Sequence, residues 1–513
     1  MPSAMFISRF LVCALLVISS ICPAVAQGRG DGPVYVILWF DTEDYLLPAS
    51  DDSAKRLAEL LTSKGIRATF KVVGEKARTL ERRGRTDVIA ALKKHDIGYH
   101  SNFHSVHPTP SEYLAEAGFL DGVGEFVRRE GGGAADVRRI FGVPTLVCYG
   151  QPGSSWGSQA IAALQQIGVA PHGVPCYVDD GTNVGLNQQP FWYENALVVY
   201  NMGRNQTRMD LHDPSAVEPA KKKVGQIADQ LRAEGGGLIS IFYHPCEWVH
   251  QTFWDGFNFA RGANPPREAW KAPPQRSPEQ TEAAFQRFSE YIDHIKTIPG
   301  VRFISAGELP ELYPDPLRNE ALRQDEVREL ASAIAQDATT VKFREIHGKY
   351  WSAADQFEVL TRAMAEVIQN KTSSSLVKLK GLFGPDQSSE TTKPIFASWA
   401  ALDTTVLDAA GFIDHEGRVP SRVFVGADSI SPADFLEGLA KAYLERSKPD
   451  HPAEGITFGK ERVALDFDKY IAKDTPDLFG GWVIHKEGFR APKIMDIARL
   501  QAWTLKPAVL KTE

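Results

Sequence analysis

Two histidines, His100 and His104, are spaced so that one turn of chain can bring both imidazoles to a single ion. Imidazole suits zinc and other first-row divalent metals. About sixty residues earlier, Phe40-Asp41-Thr42-Glu43-Asp44 follows an apolar run and offers three carboxylates. Two histidines and one carboxylate leave coordination positions open, and an open position lets a metal activate water. A third block, Phe242-Tyr243-His244-Pro245-Cys246-Glu247, ends another apolar run. The three blocks together point to a hydrolytic metal site more strongly than His-x-x-x-His alone.

The elements that must carry these blocks alternate. Val34–Phe40 reads as a strand buried on both faces. Helical spacing through Leu57, Leu60 and Leu61 comes next, and Gly65 stops it. Residues 68–73 form the next strand, then a helix runs through Val88 and Leu92, and Asp96–Tyr99 leads into His100. Further strands are expected over residues 145–149, 197–200, 237–242 and 301–304. Strand and helix in alternation predict a parallel α/β architecture. Asp41 and His100 then lie at carboxyl ends of strands, where such folds place their sites. Residues 251–280 are rich in Pro, Gly, Trp and Arg and read as a loop insertion near His244.

In this order the blocks resemble the polysaccharide deacetylase family, also called the NodB-homology or carbohydrate esterase family 4 group. The likeness covers roughly residues 33–312. It implies a distorted (β/α) barrel and a metal-dependent hydrolase that removes acetyl groups from N- or O-acetylated carbohydrate. His100-Ser101-Asn102-Phe103-His104 matches the family's His-(Ser/Thr)-x-x-His motif and implies His100 and His104 as metal ligands. Asp41 is implied as general base and Glu43 as the acidic ligand, with Asp44 the alternative; the usual adjacent Asp pair is absent. His244, in the place of the family's Leu-x-His motif, is implied as the general acid. The metal is expected to be zinc, with cobalt or nickel as alternatives. Tyr149-Gly150-Gln151-Pro152-Gly153 stands where the family has Arg-x-Pro, so Gly150 replaces an arginine that would pair with the base. Arg204 and Lys71 are the cations that other parts of the chain offer instead. Pro152, Gly153, Trp156, Trp248 and Trp254 are candidate substrate contacts, the tryptophans as platforms for sugar rings. His107 is read as loop structure. Two other readings stay open: a glycan-binding protein without catalysis, and a hydrolase of small linear or cyclic amides.

The 513 residues are too many for one domain by the usual prior, and 43% hydrophobic with 24% charged residues describes a globular chain. A net charge of -7 gives no reason to expect nucleic acid or an anionic membrane as partner. Residues 1–26 read as a secretory signal, with Arg9, an apolar run from Phe10 to Ile18, and Ala24-Val25-Ala26 as cleavage site. The mature protein is therefore expected to be periplasmic or extracellular, without a membrane span. Cleavage would leave Cys148, Cys176 and Cys246, an odd count, with a Cys148–Cys176 bridge as one pairing the sequence allows. A boundary is expected near 315, dividing residues 27–315 from a mainly helical C-terminal domain, 316–513. This second region contains an internal repeat. Ser352-Ala353-Ala354-Asp355 with Glu358, Leu360, Arg362 and Ala363 matches Ser431-Pro432-Ala433-Asp434 with Glu437, Leu439, Lys441 and Ala442. Each copy starts close to a helix capping box. Residues 417–423 resemble pseudomurein-binding-type cell-wall repeats, which implies cell-wall contact through this region.

Overall fold

A computed structural model describes residues 32–319, 321–369, 377–446, 454–460 and 463–511. The expected signal segment lies outside the described residues. Strand β1 (Val34–Thr42) is buried along its whole length, as its unbroken apolar run requires of a central parallel strand. It pairs in parallel with β2 (Thr69–Val72), and β2 with β3 (Asp96–Tyr99). After β3 the ladder thins to single bridges at Tyr149, which lead to β4 (Cys176–Val178). Strand β5 (Phe191–Tyr193) runs antiparallel to β6 (Ala196–Val199), which pairs in parallel with β4. On the other edge of β1 lies β7 (Gly237–Tyr243), and β8 (Val301–Ile304) pairs with the first half of β1. A bridge from Gln206 to Ser240 brings the far end back toward β7. The result is a curved, mostly parallel sheet bent toward a barrel, with no continuous ladder closing it among the described residues.

Helices cover the outside, including Pro48–Ser63, Phe119–Phe141, Val217–Ala233 and Pro278–Thr297. The stretch from residue 110 to residue 141 forms two helices, Pro110–Leu114 and Phe119–Phe141. Gly118, extended at the second start, separates them. Cys148, Cys176 and Cys246 are all buried and free, so the pairing of Cys148 with Cys176 is not made.

Behind residue 315 the chain is helix-rich, with short hairpins. The sequence repeat is a repeat of structure. The hairpin Arg344–Ile346 and Lys349–Trp351 precedes helix Ala353–Ile368, and the hairpin Val423–Val425 and Asp428–Ile430 precedes helix Pro432–Arg446. Ser352 caps its helix by accepting from Asp355 N, and Ser431 accepts from Asp434 N. Contacts cross the expected boundary near 315. Lys506-Pro507 pairs with Phe191-Trp192 of β5, placing the end of the chain in the first region's sheet. Lys506 Nζ is buried between Asp315, at 2.8 Å, and Asp355, at 2.9 Å. One apolar core holds residues from both sides of 315. No described helix is long and apolar enough to cross a membrane.

Removing one partner of a buried charge cluster costs about 3–5 kcal/mol. Lys506→Met is therefore expected to lower the melting temperature of the whole chain in one calorimetric transition. Two transitions, with only one of them moved, would show that residues 316–513 melt on their own.

Candidate metal and hydrolase site

Glu43 lies one residue past the end of β1, His100 one past β3, and His244 one past β7. Three parallel strands thus deliver three side chains to one rim. His104 arrives by a bent loop. Ser101 and His104 both take left-handed backbone, with φ of 64° and 57°. Non-glycine residues rarely adopt that region without local support. Support is present, because Ser101 Oγ accepts from His104 N at 3.1 Å. The bend turns both imidazoles onto Glu43.

Glu43, His100 and His104 each offer one ligand atom, all within 4.8 Å of one another and all buried. Glu43 Oε2 is 2.9 Å from His104 Nε2 and 3.7 Å from His100 Nε2. The outer nitrogens are already committed. His100 Nδ1 donates to the Gly150 carbonyl at 2.9 Å, and His104 Nδ1 donates to Ser105 Oγ at 2.5 Å. Each Nε2 then carries the lone pair that a metal needs. His104 Nε2 is buried without a hydrogen-bond partner. Trp254 Nε1 donates to Glu43 Oε1 at 3.1 Å and holds the carboxylate in place. The donor set therefore fits a zinc-like ion. Burial opposes charge on Glu43, yet the neighbouring His104 and His100 hold its carboxyl well below the usual range.

Asp44, the alternative ligand, is not in this cluster. Its carboxylate accepts from Leu46 N at 2.7 Å, meets Ser50 Oγ, and lies 3.3 Å from His250 Nε2. It fixes the loop after β1. His107 also stays outside, with Nδ1 on Glu112 at 2.7 Å, as a loop residue.

Two further groups border the cluster. Asp41 Oδ1 meets Lys71 Nζ at 2.9 Å and His100 Nδ1 at 3.3 Å. His244 Nε2 stands 3.7 Å from Asp41 Oδ2 and 4.0 Å from Glu43 Oε2. Behind it, His244 Nδ1 donates to Glu247 Oε1 at 2.6 Å, and Arg208 pairs with the other Glu247 oxygen. Burial alone would lower the His244 imidazolium. The Glu247 hydrogen bond, with the charge of Glu43 and Asp41, outweighs it and lifts the group to about 9.

Lys71 answers the missing arginine. Its ammonium is fully buried and contacts Asp41, Asp179 Oδ2 at 3.1 Å and the Val178 carbonyl at 2.8 Å. Burial would strip its proton, but Asp179 and Asp41 raise it above the ordinary lysine value. A Cβ on Gly150 would come 1.9 Å from Lys71 Nζ and 2.6 Å from Asp179 Oδ2. An arginine at 150 and a lysine at 71 exclude each other. Lys71 also settles the second possible metal group, Asp41, His100 and Asp179. The ammonium already occupies the space among its carboxylates. Arg204 is elsewhere, paired with Glu234.

The proposed aromatic platforms are not on the surface. Trp156 and Trp248 are 1% and 0% exposed. Trp248 packs on Tyr243, Phe285 and Phe288, and buried Trp254 serves Glu43. Pro152 is buried too. Gly153, with φ of 48°, is exposed, but a Cβ there would lie 2.3 Å from the Trp482 ring. Trp482 comes from the C-terminal region and stands edge to face with His104, 5.6 Å between centroids. Ser154 donates to Phe479 O, and His485 Nε2 pairs with Thr109 Oγ1, fixing that segment over the site. Nothing local in the sequence pointed to Trp482. Lys71 did leave a trace, as a charge inside an apolar strand.

No family model matches this chain, and no curated protein matches it. Solved structures do. A candidate polysaccharide deacetylase from Mycobacterium smegmatis is 12% identical over 56% of this chain and 91% of that one, with a TM-score of 0.34. A family 4 carbohydrate esterase from Streptomyces lividans is 15% identical over 53% and 91%, at 0.27. An allantoinase is 12% identical over 59% and 98%, at 0.35. At these values the likeness transfers no substrate or residue role to this chain.

Purified protein is expected to take up about one zinc or cobalt ion per chain, as a three-ligand site with open positions would. The His100→Ala/His104→Ala variant should take up none. Unchanged metal content in that variant, by elemental analysis, would place the ion elsewhere. Lys71→Met should destabilise the fold by about 3–5 kcal/mol, because two carboxylates lose their buried cation. Adding Asp179→Asn should restore part of that loss in urea denaturation; purely additive losses would show that the ammonium and Asp179 are not coupled.

Proposed function

We propose that this chain is an exported metal-dependent hydrolase that removes acetyl groups from N- or O-acetylated carbohydrate, of cell wall or matrix. The observation that carries the reading is the division of labour around Glu43, His100 and His104. One carboxylate, Asp41, and one imidazole, His244, border the cluster and stand in opposite electrostatic surroundings. Asp41 pairs with a cation; His244 pairs with an anion.

A divalent ion held by Glu43, His100 and His104 would supply Lewis acidity toward the substrate carbonyl and toward water. Asp41 accepts the proton of the attacking water. Lys71 and His100 hold one Asp41 oxygen, which leaves Oδ2 facing His244 and the site. His244 Nε2 donates a proton to the departing nitrogen or oxygen, since an amine leaves poorly unless protonated. Glu247 fixes the imidazole through Nδ1, so the proton to be given stands on Nε2. Trp254 keeps Glu43 from turning away.

A second reading has an observation of its own. Trp482 walls the site beside His104, and this favours an end group or a small linear or cyclic amide over a polymer passing through that side. Export through residues 1–26 and wall contact through residues 417–423 belong to the proposal and rest on sequence. The non-catalytic alternative loses its main support, because Lys71 supplies the cation that Gly150 does not.

Asp41→Asn and His244→Ala should each lower acetate release by about 10²–10⁴-fold with metal content unchanged. The loss in His244→Ala should be smaller on an O-acetyl ester with a good leaving group, where protonation matters less. Glycan binding with no acetate release from any acetylated glycan or small amide, in the metal-loaded wild type, would favour the binding protein.

A further inference from the structure

Trp254 and Asp255 are adjacent residues that open the short helix Trp254–Phe259, inside the insertion over residues 251–280. Both are buried. Trp254 meets one ligand of the candidate ion directly, through Glu43 Oε1. Asp255 reaches a second ligand through an intermediary. His104 Nδ1 lies 2.5 Å from Ser105 Oγ, and Ser105 Oγ donates to Asp255 Oδ2 at 3.4 Å. Ser105 is 0% and Asp255 4% exposed, so this chain of hydrogen bonds is shielded from solvent. The other Asp255 oxygen accepts from Gly256 N at 2.6 Å. Neither oxygen meets a lysine or arginine among the described residues. Burial raises the Asp255 carboxyl above its ordinary range, and a divalent ion on His104 would supply a positive charge at the far end of the chain.

The helix is held firmly enough to aim both side chains. Asn258 Nδ2 donates to Trp254 O at 2.8 Å and to Lys271 O at 3.0 Å, and Lys271 N returns a bond to Asn258 Oδ1 at 2.7 Å. Just past it, Arg261 N donates to Val483 O and Gly262 N to Ile484 O. The direction of the Ser105 bond then matters, because a hydroxyl can donate or accept. If it donated to His104 Nδ1, the ring proton would stand on Nε2. That nitrogen is 2.9 Å from Glu43 Oε2, so the proton would bridge the two ligands in place of an ion. Asp255 takes the hydroxyl proton instead. Ser105 Oγ is left to accept from Nδ1, and Nε2 keeps its lone pair.

We propose that Ser105 and Asp255 are positioning residues for the ion. The insertion thereby holds two ligands from behind, Glu43 through Trp254 and His104 through Asp255 and Ser105. It is part of the metal site rather than a rim for substrate alone. The inference rests on the metal reading of Glu43, His100 and His104, and not on hydrolysis.

The test is zinc affinity, measured on full-length protein by competition with a chromophoric chelator. Ser105→Ala removes the partner of Nδ1. Asp255→Asn keeps the shape but offers one acceptor oxygen to two donors, Gly256 N and Ser105 Oγ. Each variant should bind zinc about 10–100-fold more weakly, the usual cost of losing an outer partner of a ligand, with circular dichroism unchanged. The double variant should lose no more than the weaker of the two, because both changes break the same chain. In zinc-loaded wild type the His104 Nδ1 proton should give a low-field, slowly exchanging resonance, and Ser105→Ala should lose it. That resonance and the affinity of Ser105→Ala decide the matter even if Asp255→Asn fails to fold. Zinc held by the variants as tightly as by wild type would overturn the proposal. So would losses that multiply in the double variant, since these mark independent packing defects. Weakened zinc in the variants, with no acetate released by wild type, would leave the proposal standing and remove the hydrolase reading. A wild type that binds no zinc would overturn both.

Discussion

The buried ammonium of Lys71 is the constraint on which the site depends. A cation at full burial persists only with partners, and here it has Asp41, Asp179 and a main-chain carbonyl. Those partners come from the ends of β1 and β4, with Lys71 itself on β2. The charge cluster thus ties three strands at the rim where the ligands sit. It also dictates residue 150, where any side chain would strike the ammonium. Glycine there leaves the carbonyl of residue 150 free to meet His100 Nδ1, which sets the face of the imidazole turned to Glu43. One lysine therefore determines the partner of Asp41, the size of residue 150 and, through it, the orientation of His100.

The second dependence runs across the chain. Trp482 fills the space over Gly153 and flanks His104, although more than three hundred residues separate them. Such a contact can only be held if the C-terminal region is fixed to the first. Lys506 between Asp315 and Asp355, and Lys506-Pro507 on β5, provide the fixing. Arg318 meets the other oxygen of Asp355 at 2.9 Å, so the joint is a four-member charge network inside a shared core. The duplicated hairpin-helix units sit behind this joint.

Much of the site was legible because it is built by strand ends. His100, His104, Glu43 and His244 each come after an apolar run, and strand ends of a parallel sheet converge. The strand order and the burial of β1 stem from the same runs. What sequence did not disclose was the direction of single side chains. Asp44 and Glu43 are adjacent and alike in chemistry, and only the turn of the loop decides that one meets Ser50 and His250 and the other the imidazoles. The tryptophans failed for the same reason. An indole suits a sugar platform, a core or a hydrogen-bond donor equally well, and Trp156, Trp248 and Trp254 took the last two roles. The prolines around residue 315 signal a change of course and carry no information on contacts made across it.

His244 and Asp41, the acid and base of the proposed reaction, stand in different surroundings. Glu43 is one of the charges that raise His244, and a cation bound to Glu43 would cancel that share. The Glu247 hydrogen bond would remain, because it is made on the far side of the ring and is backed by Arg208 rather than by the ligands. Glu247 is itself held down near 2, by His244 and Arg208 against the opposing effect of burial, so it stays ionised. That support from behind leaves Nε2 as the nitrogen that faces the site. Asp41 has the converse arrangement, with its cation also placed behind it on Lys71. Each group thus has one charged partner outside Glu43, His100 and His104: Glu247 for His244 and Lys71 for Asp41. That separation gives Asp41 and His244, 3.7 Å from each other, opposite electrostatic surroundings.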